Sequence, residues 1–190
     1  MKTEEIKRLQ ERVGAKPDGF WGPKSIEACQ KYLRSLGPVP SPWPRSKDVE
    51  KFYGKPADKD NLVTIDVPQM TYIGGAKPQK TSKVTCHVKI ADSLKAILED
   101  LKDNPATAFI LDEWAGCYNH RNMRGSDRLS LHSWGIAVDF WPRYNGMYTQ
   151  WPLVAQMPIE VMEVFCKHGW TAAGAFWGRD AMHFQATRPY

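Results

Sequence analysis

Two short segments of the chain carry residues that could bind a metal ion. The segment 130–139, SLHSWGIAVD, places an imidazole at His132 and a carboxylate at Asp139, with glycine and alanine between them. A second imidazole, His183, lies in the later segment DAMHF. Three nitrogen or oxygen ligands that leave a fourth position for water are the set expected of catalytic zinc, whereas a structural zinc site is closed. The sequence therefore predicts a catalytic Zn²⁺ site formed by His132, Asp139 and His183.

A further carboxylate, Asp180, precedes His183 by three residues. A carboxylate beside a metal ion, but not bound to it, could take a proton from an attacking water and pass it to the leaving amine. Strict alternation along a strand would place Asp180 and His183 on opposite faces of the sheet. The role therefore requires Asp180 to lie in a loop or bulge before the strand, and Gly178 makes that bend feasible.

Hydrophobic patterns predict the elements that position these residues. Alternation, or a short apolar run, predicts four strands: 84–90, 108–111, 136–140 and 182–186. Helical spacing predicts helices at 94–101 and 158–169. Strands and helices mixed in this order indicate an α+β domain with an antiparallel sheet and flanking helices.

The N-terminal third predicts a small helical module. Ile6, Leu9 and Val13 share one helix face, and a second helix begins at Pro23 and ends before Gly37. A proline-rich segment follows, and it should form an extended, semi-rigid spacer. We therefore expect a helical module at 1–37, a linker at 38–48 and a catalytic domain at 49–190.

The two candidate metal-binding segments also resemble motifs of a known protein family. The pattern S-x-H-x-x-G-x-A-x-D at 130–139, followed by D-x-x-H-F at 180–184, resembles the VanY-type D-alanyl-D-alanine carboxypeptidases and the related L-alanyl-D-glutamate endopeptidases of phages. The resemblance implies a zinc cofactor, the α+β fold shared by VanY and hedgehog proteins, and a peptidoglycan stem peptide as substrate. It assigns His132, Asp139 and His183 to the metal and Asp180 to the base. Many members have glutamate in place of Asp180, so the base is one methylene shorter here.

The segment 116–125, GCYNHRNMRG, resembles the stretch where this family has an arginine that stabilises the developing oxyanion. A guanidinium aimed at that oxygen would stabilise the transition state more than the ground state. Arg121 is the first candidate, and Arg124 is the alternative. Three residues within or beside the motifs are candidate substrate-binding residues: Tyr118, Ser130 and Trp177.

The turn DGFWGPKS at 18–25 resembles the short helical peptidoglycan-binding domain, in which a D-G-x-F-G-P-x-T turn joins two helices. The sequence departs from that pattern because F-W-G stands where the family has one variable residue and then F-G. A third helix is also not evident. The resemblance implies binding to the cell wall through Asp18, Phe20 and Trp21.

Composition limits the remaining classes of function. The net charge is +5, and no stretch approaches the roughly 18 apolar residues that a membrane span needs. The start, MKTEEIKRLQERVG, lacks the apolar core of a secretion signal. We expect a monomer with no nucleic-acid partner and no stable membrane insertion, held in the host cytoplasm until it is released to the periplasm or cell wall. The cysteines are far apart and should be free, buried thiols: Cys29, Cys86, Cys117 and Cys166.

These observations favour a phage endolysin that hydrolyses peptidoglycan, with the L-alanyl–D-glutamate bond as the first choice because of the wall-binding module. A D-alanyl-D-alanine carboxypeptidase is the alternative, since both activities use the same ligands. A zinc-bearing protein that binds the wall without catalysis is a further alternative, because hedgehog proteins resemble this fold and act as ligands. The intact Asp180 speaks against that last possibility. A wall-binding or nucleic-acid-binding module in the basic N-terminal region would instead bind without metal, and its binding would fall steeply with salt.

Overall fold

The computed structural model describes residues 2–188, in which a six-stranded sheet is flanked by helices. The strands are β1 (Leu62–Tyr72), β2 (Gln79–His87), β3 (Trp114–Gly116), β4 (Ala137–Phe140), β5 (Thr171–Ala172) and β6 (His183–Gln185). Their order in the sheet is β2-β1-β3-β4-β6-β5. All neighbouring strands run antiparallel except β1 and β3, which pair in parallel at Tyr72 and Trp114. The predicted α+β class is confirmed, with one parallel pair added.

Seven α-helices surround the sheet in the described residues. They are α1 (Thr3–Arg12), α2 (Pro23–Leu36), α3 (Val49–Tyr53), α4 (Ala91–Asp103), α5 (Pro142–Asn145), α6 (Ile159–Lys167) and α7 (Ala173–Trp177). Short 3-10 helices lie between them, at Ser46–Asp48, Lys59–Asn61, Val88–Ile90, Ala108–Glu113 and Leu131–Trp134.

Several parts of the sheet region differ from the sequence prediction. The strand predicted at 84–90 ends at His87, and Val88–Ile90 forms a 3-10 helix. The strand predicted at 108–111 is wrong, because Ala108–Glu113 forms a 3-10 helix. Ile110 and Leu111 are buried there, and a short apolar run cannot distinguish a buried strand from a buried helical turn. The long strand β1 was not predicted, and Pro68 lies in its middle, where the register with β2 shifts. Proline cannot donate to the ladder and is tolerated at such a bulge.

Aromatic packing holds β4 and β6 against α6. Phe165 of α6 stacks on Phe184 of β6 with ring centroids 4.0 Å apart, and Phe140 of β4 contacts both rings. All three side chains are fully buried. Because side chains alternate across a strand, the residues next to Phe140 and Phe184 project from the opposite face. Those neighbours are Asp139 and His183.

The N-terminal helices pack on the rest of the chain. Arg12 of α1 makes a two-pronged ion pair with Glu163 of α6, with Nε–Oε1 and Nη2–Oε2 distances of 2.7 Å. Tyr32 of α2 donates a hydrogen bond to the same carboxylate at 2.9 Å. The apolar residues of both parts form one continuous core. The division at 1–37 and 49–190 therefore stays a prediction.

The proline-rich segment is fixed against the sheet domain through a tryptophan. Trp43 is 9% exposed, donates from its indole nitrogen to the carbonyl of His168 at 2.8 Å, and packs edge-on against Trp170.

All four cysteines are free and buried, as predicted. Within residues 2–188, no helix is both long and apolar enough to cross a membrane.

Replacing Arg12 by alanine is expected to lower the free energy of unfolding by about 1–3 kcal/mol, because the nearly buried Glu163 carboxylate loses its strongest partner. Chemical denaturation measures this change. Lys7→Ala is the matched control, since it removes only the exposed pair with Glu4 and should change the stability by less than about 1 kcal/mol. Equal effects of the two substitutions would show that the contact between α1 and α6 adds little stability.

Candidate metal centre

Three separate segments bring His132, Asp139 and His183 together. Asp139 of β4 and His183 of β6 are register partners in adjacent antiparallel strands, so their side chains lie on the same face of the sheet. His132 lies in the 3-10 helix Leu131–Trp134, which ends at Gly135. Gly135 has a φ of 67°, and a Cβ there would lie 3.0 Å from the backbone nitrogen of His87. Only glycine makes this turn from the 3-10 helix toward β4 without strain.

The carboxylate of Asp139 lies between the two imidazoles. His183 Nδ1 is 3.0 Å from Asp139 Oδ1, and His132 Nε2 is 3.3 Å from Asp139 Oδ2. One ligand atom from each residue lies within 4.8 Å of the others. The three side chains are therefore close enough to share one ion.

Hydrogen bonds to the outer ring nitrogens orient both histidines. His132 Nδ1 lies 2.6 Å from the carbonyl oxygen of Cys117. A carbonyl can only accept, so Nδ1 carries the proton and Nε2 presents its lone pair to the centre. His183 Nε2 lies 3.2 Å from Gln185 Oε1, and the amide nitrogen of Gln185 donates to Thr187. His183 Nε2 is therefore the donor, and Nδ1 presents its lone pair to the same centre.

The unpaired nitrogen of His132 tests whether these residues fit a metal ion. Within the described chain, His132 Nε2 is buried and has no hydrogen-bond partner, although it lies close to Asp139. Leaving a buried polar atom unsatisfied costs about 1–3 kcal/mol, and a cation at this point would remove that cost. Two imidazole nitrogens and one carboxylate oxygen also match the donor set of catalytic zinc. The residues present therefore fit a zinc ion.

The electrostatics of the cluster keep Asp139 ionised. Burial acts to raise the pKa of Asp139, but the two imidazoles beside it, those of His132 and His183, lower it well below its usual range. For His183, burial acts to lower the pKa, and the nearby carboxylate of Asp139 outweighs it and raises the pKa. The Asp139 carboxylate therefore stays ionised and offers its negative charge to a cation.

Asp180 lies in the loop before β6, as its predicted role requires. The loop turns through two left-handed residues, Gly178 with a φ of 71° and Asp180 itself with a φ of 59°. A non-glycine residue in this region is strained, and such strain clusters at functional sites. Asp180 Oδ1 is buried and has no hydrogen-bond partner among the described residues. Burial raises the pKa of Asp180, while attraction to His183 opposes that rise.

The candidate oxyanion residue has an ordered backbone and an exposed side chain. Arg121 exchanges backbone hydrogen bonds with the hydroxyl of Ser133, and its carbonyl accepts from the nitrogen of Ser130. Its guanidinium donates to the carbonyl of Asn122 at 3.3 Å. Arg124 is also exposed. The choice between Arg121 and Arg124 stays a prediction.

The three candidate substrate-binding residues have different surroundings. Ser130 is buried, and its hydroxyl accepts from the backbone nitrogen of His132, so it positions that ligand. Tyr118 is half-buried. Trp177 is 41% exposed and stacks on His183 with ring centroids 5.8 Å apart, so it forms a wall beside the centre.

Gln185 is a site residue whose role was not recognised from the sequence. Its alternation with His183 placed both on one face, but that pattern does not reveal a hydrogen bond between the two side chains. Residues that hold the second nitrogen of a metal-binding histidine typically change metal affinity by about 10–100-fold when they are lost.

The candidate wall-binding residues lie in the turn between α1 and α2. Asp18 Oδ1 accepts from the side chain of Gln10 at 2.9 Å and from the backbone nitrogen of Phe20 at 3.0 Å, so it organises the turn. Phe20 is 72% exposed. Trp21 is buried against Trp151, with ring centroids 5.7 Å apart. Its side chain packs in the core. The part that Trp21 takes in wall binding stays a prediction.

Comparison with known families agrees with this centre. Residues 124–186 match the model of a peptidase M15 family described as D-alanyl-D-alanine carboxypeptidase. The matched segment contains all three candidate ligands and Asp180, whereas Arg121 and Tyr118 lie outside it. The chain has no match among curated proteins or solved structures. The family match supports a peptidase that acts on peptidoglycan.

Replacing His132 by alanine is expected to abolish stoichiometric zinc binding, because a carboxylate and a single imidazole remain. Elemental analysis after dialysis against zinc measures the bound metal. His168→Ala is the matched control, since His168 pairs with Asp100 away from the centre and its loss should leave the zinc content unchanged. Full zinc occupancy in the His132→Ala protein would contradict the proposed ligand set.

Proposed function

We propose that this protein is a zinc-dependent peptidoglycan hydrolase that cleaves the amide bond between L-alanine and D-glutamate in stem peptides. The observation that carries the proposal is the convergence of two imidazole lone pairs and the Asp139 carboxylate on one point, with the half-buried acid Asp180 in the adjoining loop. The family match over residues 124–186 supports the same class of reaction.

His132, Asp139 and His183 would hold the ion. When bound, zinc supplies Lewis acidity, which polarises a carbonyl group and lowers the pKa of water. Ionised Asp139 balances part of the ion's charge, and the carbonyl of Cys117 and the amide of Gln185 keep the two rings in place.

Asp180 would move the proton. Its raised pKa lies closer to neutrality than that of an ordinary aspartate, which suits a group that must both accept and release a proton. It would take a proton from the attacking water on a carboxylate oxygen and deliver it to the nitrogen of the leaving amine. Arg121 would turn from the carbonyl of Asn122 toward the oxygen that becomes negative, where a fixed cation lowers the barrier.

A D-alanyl-D-alanine carboxypeptidase is the second candidate. The description of the matching family favours it, and the same ligands and base would serve. The intact base Asp180 favours either peptidase over a zinc protein that only binds the wall. The resemblance to phage lysins supports a role as an endolysin, in which the turn between α1 and α2 would bind the wall through Phe20.

Asp180→Asn is expected to lower kcat by about 10²–10⁴-fold while the zinc content stays unchanged, because the amide cannot accept the proton. Mass spectrometry of purified peptidoglycan digested by the wild-type and variant proteins, with and without a chelator, measures the products. The wild-type digest should contain new amino termini at D-glutamate.

The same digest separates the alternatives. Loss of a terminal alanine from the stems would replace the endopeptidase by the carboxypeptidase. Unchanged stems in the presence of zinc would contradict both activities.

Phe20→Ala is expected to reduce sedimentation of the protein with purified cell walls several-fold, because it removes the most exposed aromatic side chain of the turn. Val88→Ala is the matched control, since Val88 is another exposed apolar residue, 51% exposed, and lies beyond the end of β2. Equal sedimentation of the two variants would remove Phe20 from the binding surface.

A further inference from the structure

A cleft of about 390 Å³ opens beside the candidate metal centre. Its wall includes Trp177 and Gln185, which both contact His183: Trp177 stacks on the ring, and Gln185 accepts from Nε2. The cleft therefore begins one side chain away from the candidate ligand. Three basic residues line another part of it: Arg45, Lys47 and Arg188.

Among the residues that the structure describes, these three cations have no acidic partner. None of the ion pairs among residues 2–188 includes Arg45, Lys47 or Arg188. Arg45 and Lys47 are exposed, whereas Arg188 is half-buried. The Nε of Arg188 is shielded from solvent and has no hydrogen-bond partner in the described chain. The described residues that line the cleft supply no acceptor for this Nε–H group, so a ligand could supply one.

The backbone holds the basic residues at this place. The residues at 45 and 188 form a parallel β-bridge, and the nitrogen of Arg188 donates to the carbonyl of Pro44 at 2.9 Å. Trp43, fixed against Trp170, anchors the segment that carries Arg45 and Lys47. Like charges brought together in this way repel, and an anion between them removes that repulsion.

The polar side chains beside the cations are already engaged. Thr171 donates its hydroxyl proton to the carbonyl of Thr187 at 2.5 Å, and Gln185 bonds to the hydroxyl of Thr187 and to His183. Recognition in the cleft therefore depends on the positive charges. Arginine matches a carboxylate in a two-pronged geometry, which gives both strength and orientation.

We propose that Arg45, Lys47 and Arg188 form a subsite for a carboxylate of the substrate peptide and thereby position the scissile amide at the metal centre. The inference rests on the proposed function for the identity of the substrate. Stem peptides offer such groups, among them the free carboxylate of D-glutamate and the carboxyl terminus. The subsite selects peptides in which the carboxylate at the matching position is not amidated.

The test uses the full chain carrying Asp180→Asn, loaded with zinc, and a synthetic stem pentapeptide. The peptide is compared with two analogues, one amidated at the glutamate carboxylate and one at the carboxyl terminus. Calorimetry measures binding. Arg188→Gln should weaken binding of the free peptide by about 10–100-fold, the range expected for a lost charge-assisted hydrogen bond. It should change binding by less than about twofold for the analogue that lacks the recognised carboxylate, because the charge-assisted bond is then already absent.

Three controls separate recognition from folding and from net charge. The double variant Arg45→Gln, Lys47→Gln alters only exposed side chains. It should weaken binding of the free peptide and leave binding of the analogue without the recognised carboxylate nearly unchanged. Arg188→Lys should restore part of the affinity. Lys83→Gln removes an equal charge from an exposed position on β2 and should have no effect.

The outcomes distinguish the subsite from the proposed function. The subsite is overturned if Arg188→Gln weakens binding of the free peptide and of both analogues equally, or if the free peptide does not bind at all. Either result counts even if the wild-type protein cleaves walls. Selective weakening together with a wild-type protein that cleaves no stem peptide supports the subsite and overturns the hydrolase.

Discussion

One carboxylate, that of Asp139, controls the arrangement of the whole site. It lies within 3.0–3.3 Å of a nitrogen on each of two histidines, and both rings are oriented by hydrogen bonds on their far sides. The lone pairs and the negative charge therefore converge before any ion arrives. Because His132 Nε2 is buried without a hydrogen-bond partner in the described chain, the centre is complete only when a cation joins it.

The fold supplies rigidity where the centre needs it. The packed rings of Phe140, Phe165 and Phe184 fix the core side of β4 and β6, and the strand register places Asp139 opposite His183 on the other side. Two segments outside this core bring the other charged groups of the site. The spacer brings basic residues to one side, and the strained loop before β6 brings the half-buried acid Asp180. Substrate positioning, proton transfer and metal binding would thus come from three different parts of the chain.

The sequence predicted the ligand cluster because the patterns that indicate it lie within short segments of the chain. Alternation in β4 and β6 determines which side chains share a face, and the spacing from His132 to Asp139 is short. Contacts between distant segments were beyond this reasoning. The run 108–111 has no periodicity that separates strand from helix. Pro68 lies within β1, and a proline argues against a strand in a sequence pattern. Likewise, the burial of Trp21 against Trp151, and the placement of the spacer's basic residues beside His183, depend on long-range packing that no local pattern records.

The most direct test is a crystal structure of the zinc-loaded protein with anomalous data collected at the zinc edge. We expect one strong peak, about 2.0–2.2 Å from His132 Nε2, His183 Nδ1 and an oxygen of Asp139, with a fourth position open to solvent. A peak at another place, or fully loaded protein in which these three side chains do not contact the ion, would contradict it.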